Sequence, residues 1–430
     1  MVPIDVISAC RLERFVTEDV EISAFISDSP FTVEWLLKSL PARDDKFNEI
    51  AKDSKIEQNL LISAYDISEG KGFVSKVYKV SIKFQHLDQP YQVILKVPGC
   101  DAINNDPANA DGEELMTADF VELAHNLECE FYKNFAAHID IPLVKMYNIT
   151  EIGEDGSPGA LLMESMVGKA DTHPFHKGAS KEMACNVAKH LATFYAYFLS
   201  HPKDKWQGKY EKNSMIDMMK DEFFCYFEQI CDMKPGVFDK AFEVFKNFSC
   251  SKPFFTYILT TCYKDLGLSA VPTHGDLWGN NIMWKKNPDG SLSNEVAAFI
   301  DFQMFHEGCI TNDLARYLCV CLDGDVRRKH EFEILKFMYD KIVEQVGEKG
   351  KTVDFTFRQM KQGYKTNFIG HAIQLMLMVS FMYGGESRLQ SWTDEEKKIK
   401  KAELEKLLIR TQFAVEDAIE YFKGVPKDRF

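Results

Sequence analysis

The stretch VPTHGDLWGNNIMW, residues 271–284, sets a His, an Asp and an Asn at short fixed offsets between apolar flanks. Asp276 follows His274 by two positions and precedes Asn281 by five, and FIDFQ places Asp301 at the end of an apolar run some twenty residues on. Transfer of a phosphoryl group asks for such a set: a carboxylate to orient a hydroxyl and take its proton, and oxygen ligands to hold Mg²⁺ against phosphates. A carboxamide suits the metal because it coordinates through oxygen without adding charge. His274 would then hold the loop. The plainer reading is a polar turn whose residues meet by accident, so the remainder of the chain has to supply the matching parts.

The N-terminal half supplies candidates. EGKGFVSKVYKV places Gly70 and Gly72 one residue apart, then Ser75, and runs into a strand. Such a loop lets backbone N–H groups approach phosphates, although Gly-x-Gly turns are common in purely structural roles. Lys96 in VILKVPG lies among β-branched residues, either as a snorkelling edge residue or as a phosphate-binding cation. Downstream, LECEFY offers Glu128 or Glu130 as its partner. Gly-rich loop, strand lysine, helix glutamate, Asp-x₄-Asn and Asp-Phe follow in the order a kinase needs.

The chain has 430 residues, 45% hydrophobic and 27% charged, ordinary for a folded globular protein and long enough for two or three cores. A net charge of −14 argues against a nucleic-acid surface. The N-terminal stretch is a poor secretory signal, and HAIQLMLMVSFMY, residues 371–383, reads as a buried helix too short to span a bilayer. The eleven Cys lack metal or disulfide-scaffold spacing and read as reduced thiols. A cytoplasmic protein is the resulting expectation.

Residues 60–165 are strand-rich: LISAYDIS, FVSKVYKVSIKF and YQVILKVP, then the loop GCDAINNDPANADGEE, the helix ADFVELAHNLECEFYKNFAAH, and one further strand fed by EIGEDGSPG. Residues 181–270 are helical, with KEMACNVAKHLATFYAYFLSH and two runs around 214–232 and 236–248. VPTHGDLWGNNIMW and EVAAFIDFQMF are short strand-like islands. From 311 the chain is helical again, closing with DEEKKIKKAELEKLLIRTQFAVEDAIEYF, whose charged first half reads as solvated. The expected architecture is α+β and two-lobed, a protein-kinase-like fold with a β-rich N-terminal lobe and a mostly helical C-terminal lobe. The expected boundaries are 1–59 for a helical extension, 60–166 for a nucleotide-binding lobe, and 167–430 for the catalytic loop and acceptor site.

THGDLWGNNIMW, AAFIDFQ, TNDLARYL, GKGFVSKVYKV and LKVPG resemble the choline kinase and aminoglycoside phosphotransferase superfamily, and more narrowly the ecdysteroid kinase-like (CHK kinase-like) proteins, over residues 60–420. The resemblance implies ATP and Mg²⁺, with Asp276 as catalytic base, Asn281 and Asp301 as catalytic metal ligands, and Lys96 on the nucleotide's α/β-phosphates. It favours Glu128 over Glu130 as the helix glutamate. It also makes LLMESM a hinge whose Glu164 and Met166 backbone groups meet adenine, and Asp313 a structural residue below the loop.

Two departures bear on substrate. Gly275 stands where a protein kinase has Arg, and only eleven residues separate Asp301 from Asp313. That leaves no room for an activation segment, so no protein substrate is expected. The implied activity is ATP-dependent phosphorylation of a small-molecule hydroxyl: choline-like, steroid or glycoside. The alternative is a nucleotide-binding pseudokinase acting as an interaction module. Trp206, Trp278, Phe305, Tyr383 and Trp392 are open to two readings, a cation-binding aromatic cage or ordinary core and rim positions.

Overall fold

Alternation of apolar residues builds the first part of the chain. In a computed structural model, which describes residues 23–41, 43–52, 60–68, 74–84, 87–100, 104, 116–217, 219, 223–384 and 392–430, the chain divides into two units. The first comprises Met1–Phe135 with Val144–Val167, and the second Ala136–Leu143 with Gly168–Phe430.

The first unit opens with α1 (Val33–Ser39) and α2 (Asp45–Lys52). Thr32 caps α1 by accepting from the Trp35 amide at 3.3 Å, satisfying one of the N–H groups a helix start leaves unpaired. Strands β1 (Leu60–Asp66), β2 (Ser75–Phe84) and β3 (Tyr91–Pro98) follow, then α3 (Ala118–Asn134), β4 (Met146–Thr150) and β5 (Ala160–Glu164). The strands form one antiparallel sheet in the order β1-β2-β3-β5-β4. Successive side chains face opposite ways, so Tyr78, Val80, Ile82 and Phe84 of β2 and Val93, Leu95 and Val97 of β3 share one face. They pack with Leu36 of α1, Leu40 just after it and Phe47 of α2. Lys96, one residue out of phase, points to the opposite face. β4 was not anticipated: one strand was expected after α3 and two are present. VKMYNIT carries only a five-residue strand with a single fully buried position, too short a pattern for period-two alternation to show. Most of the GCDAINNDPANADGEE loop lies outside the described residues.

In the second unit, Pro142 accepts from the Phe299 amide at 2.9 Å, which ties the 136–143 segment to it. The unit contains β6 (Ala170–Thr172), α4 (Lys181–Ser200, capped by Ser180), α5 (Phe224–Met233), α6 (Asp239–Phe245), β7 (Ala270–Thr273), β8 (Ile282–Lys286), β9 (Leu292–Phe299) and β10 (His306–Cys309). It ends with α7 (Asn312–Cys321), α8 (Gly324–Glu348), α9 (Phe357–Tyr383) and α10 (Asp394–Phe422). Two short sheets, β10-β7 and β6-β8-β9, interrupt the helices. The α+β expectation therefore stands, with a β-rich first unit and a mostly helical second. HAIQLMLMVSFMY forms the C-terminal half of α9, largely buried.

α10 is solvent-facing over its charged first turns and from Leu407 onward buries one face, through Leu407, Leu408, Ala414, Val415 and Ala418. Its Arg410, buried, donates four hydrogen bonds, to Asp323, Phe175 O and Val320 O at 2.7–3.1 Å, fixing the helix by a charge that uses four of its five donors. Among the described residues no helix is long and apolar enough to cross a membrane.

Two buried histidines set an acid dependence. Burial pushes His371 down to about 3 and His125 down to about 4, from an ordinary 6.5. Both stay neutral in the fold while the unfolded chain takes up protons below pH about 6.5, so stability is lost progressively as pH falls from there towards 3–4. At pH 5 each contributes a loss of order 1–2 kcal/mol. Urea midpoints from pH 7 to 5 should fall, and His371→Gln should flatten that slope whatever it does to absolute stability. Equal slopes for the two proteins would refute the assignment.

Candidate functional site

In the first unit, Lys96 and Glu128 form the polar centre. β3 is buried along nearly its whole length, so its one lysine needs a partner. α3, N-capped by Thr117, supplies it. Lys96 Nζ lies 2.6 Å from Glu128 Oε2, with side-chain exposures of 11% and 2%. Removing two charges from water costs more than a surface pair returns, so the close approach of the two groups is what offsets their burial. Glu130 is half-buried and points elsewhere on the helix. Ser75 opens β2 with its hydroxyl donating to Val74 O at 2.6 Å. Gly70 and Gly72 lie outside the described residues. Glu164 ends β5, its amide donating to Lys145 O at 2.9 Å, and Met166 follows, half-buried, in the segment after it.

In the second unit, pairing of β7 with β10 and of β8 with β9 delivers the loop 274–281. Asp313, in the first turn of α7 and wholly buried, accepts from the amides of His274 at 2.9 Å and Gly275 at 3.0 Å and from the Tyr195 hydroxyl at 2.7 Å. Burial, with Asp313 adjacent, holds the Tyr195 phenol well above its usual range, so it remains a donor. His274 Nδ1 accepts from the Asp276 amide at 3.3 Å, its Nε2 donates to Ile300 O at 3.0 Å, and its ring packs on Phe302 at 4.5 Å. His274 thus joins the loop to the 300–302 segment.

Asn281 Nδ2 donates both to Asp276 O at 2.8 Å and to Asp276 Oδ2 at 3.1 Å. With the amide nitrogen so engaged, the side-chain oxygen is the atom turned to other partners. Ile300 N donates to Asn281 O at 3.1 Å and Ile282 pairs with Phe299, so Asn281 and Asp301 come together at one end of the β8–β9 pair. Asp301 is left-handed at φ 70° and ψ 60°, rare for a residue with a Cβ and found where surrounding structure imposes it. Gln303 donates to its Oδ2 at 3.1 Å. An amide oxygen and a carboxylate fit Mg²⁺, a hard cation that draws its remaining ligands from water and phosphate. Among the described residues no group of three or more His, Cys, Asp or Glu could hold a metal unaided.

The aromatic candidates do not converge. Trp206 and Phe305 pack around Phe198, at 5.9 and 6.5 Å, and Trp278 sits edge-on to Phe175 at 5.5 Å. Tyr383 donates to Glu403 at 3.0 Å, and Trp392 is half-buried. Sequence reading missed Arg316, three residues beyond Asp313, whose guanidinium meets the Asp276 carboxylate. The sequence signal was an Arg set in the mostly apolar run LARYLCVC, which suggests a buried cation without naming its partner.

Gly275 explains the missing arginine. At φ +85°, an added Cβ would lie 2.0 Å from Met304 O. Gly290 has nearly the same φ, +84°, but open space around it. Gly290→Ala should therefore cost about 1–2 kcal/mol of left-handed strain, and Gly275→Ala markedly more, read as urea midpoints. Equal losses would mean that the close approach at Gly275 is unimportant.

A Caenorhabditis elegans protein named "Uncharacterized oxidoreductase dhs-27" is 26% identical over 326 residues, covering 72% of this chain and 38% of that protein. This chain thus spans well under half the length of that relative. A second C. elegans protein, "Uncharacterized kinase-like protein D1044.1", is 25% identical over 354 residues, covering 78% of this chain and 88% of its own. Among solved structures, ADP-bound aminoglycoside phosphotransferase APH(2'')-Ib covers 86% of this chain and 98% of its own, at 15% identity and TM-score 0.39. A putative aminoglycoside phosphotransferase of Ralstonia eutropha covers 84% and 93%, at 12% identity and TM-score 0.39. Residues 48–423 match the family DUF1679, described as "Uncharacterized oxidoreductase dhs-27". With the match running over most of its length, the chain belongs to the DUF1679 family.

Proposed function

We propose that the chain is an ATP-dependent phosphotransferase acting on the hydroxyl of a small molecule, choline-like, steroid or glycoside, within the ecdysteroid kinase-like group. The observation that carries this reading is the buried Lys96–Glu128 pair: an ammonium held at 2.6 Å by a carboxylate on an otherwise apolar strand is suited to phosphate oxygens. The name "kinase-like" borne by one relative supports it. The oxidoreductase name belongs to a protein most of whose length lies outside the match. A dinucleotide-binding sheet is parallel and doubly wound, whereas every strand pair named above is antiparallel.

In this reading Asp276 orients the acceptor hydroxyl and takes its proton as the oxygen bonds to the γ-phosphorus. The bond from that phosphorus to the β–γ bridging oxygen breaks, and ADP leaves. Lys96 neutralises charge on the α/β-phosphates, Gly70, Gly72 and Ser75 belong to the loop over them, and backbone groups of Glu164 and Met166 hold adenine. Asn281 and Asp301 would hold Mg²⁺, which offsets phosphate charge. Positioning and electrostatics supply most of the rate. The boundary near residue 167 separates nucleotide binding from acceptor chemistry.

ATP with Mg²⁺ should raise the melting temperature more than either alone, by about 2.7 kcal/mol of stability at a hundredfold excess over Kd. Asp276→Asn should keep that shift and lose about 100- to 10,000-fold in ADP release with choline, steroid and glycoside acceptors. No shift at millimolar ATP would refute nucleotide binding. A preserved shift with no turnover by the wild type would favour the interaction-module reading.

A further inference from the structure

Arg316 is not explained by folding alone. Its side chain is 4% exposed, yet it lies on α7, every residue of which is buried. Its carboxylate partner is Asp276, reached through Nη2 at Oδ1. Nη1 donates to Gln374 Oε1 at 2.9 Å, so two arms of one planar fork are fixed by two different elements.

The support continues behind it. His371 Nδ1 lies 3.1 Å from the same Gln374 oxygen, and His371 Nε2 lies 3.0 Å from Asn312. An oxygen that accepts from Arg316 accepts from His371 as well, so Nδ1 carries the hydrogen. Nε2 of the neutral ring is then an acceptor and must face the amide nitrogen of Asn312, the oxygen and nitrogen of that side chain being exchangeable by a flip. Asn312 adjoins Asp313. One helical turn of α7 therefore grips the loop twice: Asp313 holds the His274 and Gly275 amides, while Arg316, at i+3 on the same face, holds the carboxylate of Asp276. On its other oxygen Asp276 accepts from Asn281 at 3.1 Å.

We infer that Arg316 is a positioning residue for Asp276, locking the carboxylate rotamer that meets the acceptor hydroxyl, with Gln374 and His371 orienting Arg316 in turn. The inference rests on the phosphotransferase reading and adds a residue that acts only through the base. A carboxylate displaced by as little as an ångström loses about 100-fold in rate.

The test measures MgATP turnover of full-length wild type, Arg316→Gln, Arg316→Lys, Asp276→Asn and the Asp276→Asn/Arg316→Gln double variant. The acceptor is the hydroxyl compound giving the fastest ADP release, or water where none exceeds it. Arg316→Gln should lower kcat about 100-fold with KM for ATP and the MgATP thermal shift unchanged. Arg316→Lys, which restores the charge without the fork, should recover part of the loss. The double variant should be no slower than Asp276→Asn. Should Arg316→Gln fail to melt cooperatively, Arg316→Lys carries the test, with reduced kcat and wild-type KM.

Wild-type turnover in Arg316→Gln beside an inactive Asp276→Asn would overturn this inference and leave the phosphotransferase reading intact. A double variant slower than Asp276→Asn by the full Arg316→Gln factor would overturn it too, since Arg316 would then act elsewhere. Wild-type turnover in Asp276→Asn, or none in the wild type, would overturn both.

Discussion

The second unit depends on one buried carboxylate. Asp313 has no solvent contact and accepts three hydrogen bonds, two from consecutive amides of the 274–281 loop and one from Tyr195 on α4. An isolated buried charge is costly, and charge-assisted bonds to three fixed donors offset that cost. The price of Asp313's burial is thus met only in one loop conformation. Gly275 completes the constraint, because at φ +85° and 2.0 Å from a carbonyl no side chain fits there. The loop can then approach the 302–304 turn closely, and His274 can span to Ile300. With the backbone so held, Asp276 and Asn281 of the loop share one neighbourhood with Asp301, which comes from the separate turn after β9.

The first unit uses the same logic on a smaller scale. Lys96 and Glu128 are both removed from water and would each be unfavourable alone. β3 presents Leu95 and Val97 to the core beneath α1 and α2 and turns Lys96 to the other side, where α3 stands. Strand alternation thus separates a hydrophobic face from a charged one on a single strand. In both units a buried ion pair marks the place where stability has been spent on geometry, as expected where chemistry needs groups held without thermal wander.

Much of this was legible in the sequence. Long elements with clear period were readable to within a few residues: α4, the second half of α9, and α10, which is N-capped at Thr393 by a capping box with Glu396. Short ones were not. β4 and β6 have five and three residues and little alternation, and they exist because a neighbouring strand offers its unpaired N–H and C=O groups. The expected helix through residue 138 stops at Asn134 and tightens into a 3₁₀ turn, a change of pitch that propensity does not encode.

What the sequence by itself determined is the set of groups and their local order: Asp276 five before Asn281, Asp301 at a strand end, Lys96 amid apolar neighbours, and a glutamate on the helix that follows. Spacing of this kind survives in one dimension because each motif is folded locally. Only the tertiary structure decided that Glu128 and not Glu130 faces Lys96, that Trp206 and Phe305 share one packing cluster while Trp278 and Tyr383 contact other partners, and that Arg316 closes on Asp276. Those outcomes turn on which face of a buried helix meets which neighbour. In α7 every residue is buried, so no amphipathic stripe distinguishes one face from another, and the partner of its arginine is fixed only when the loop folds against it.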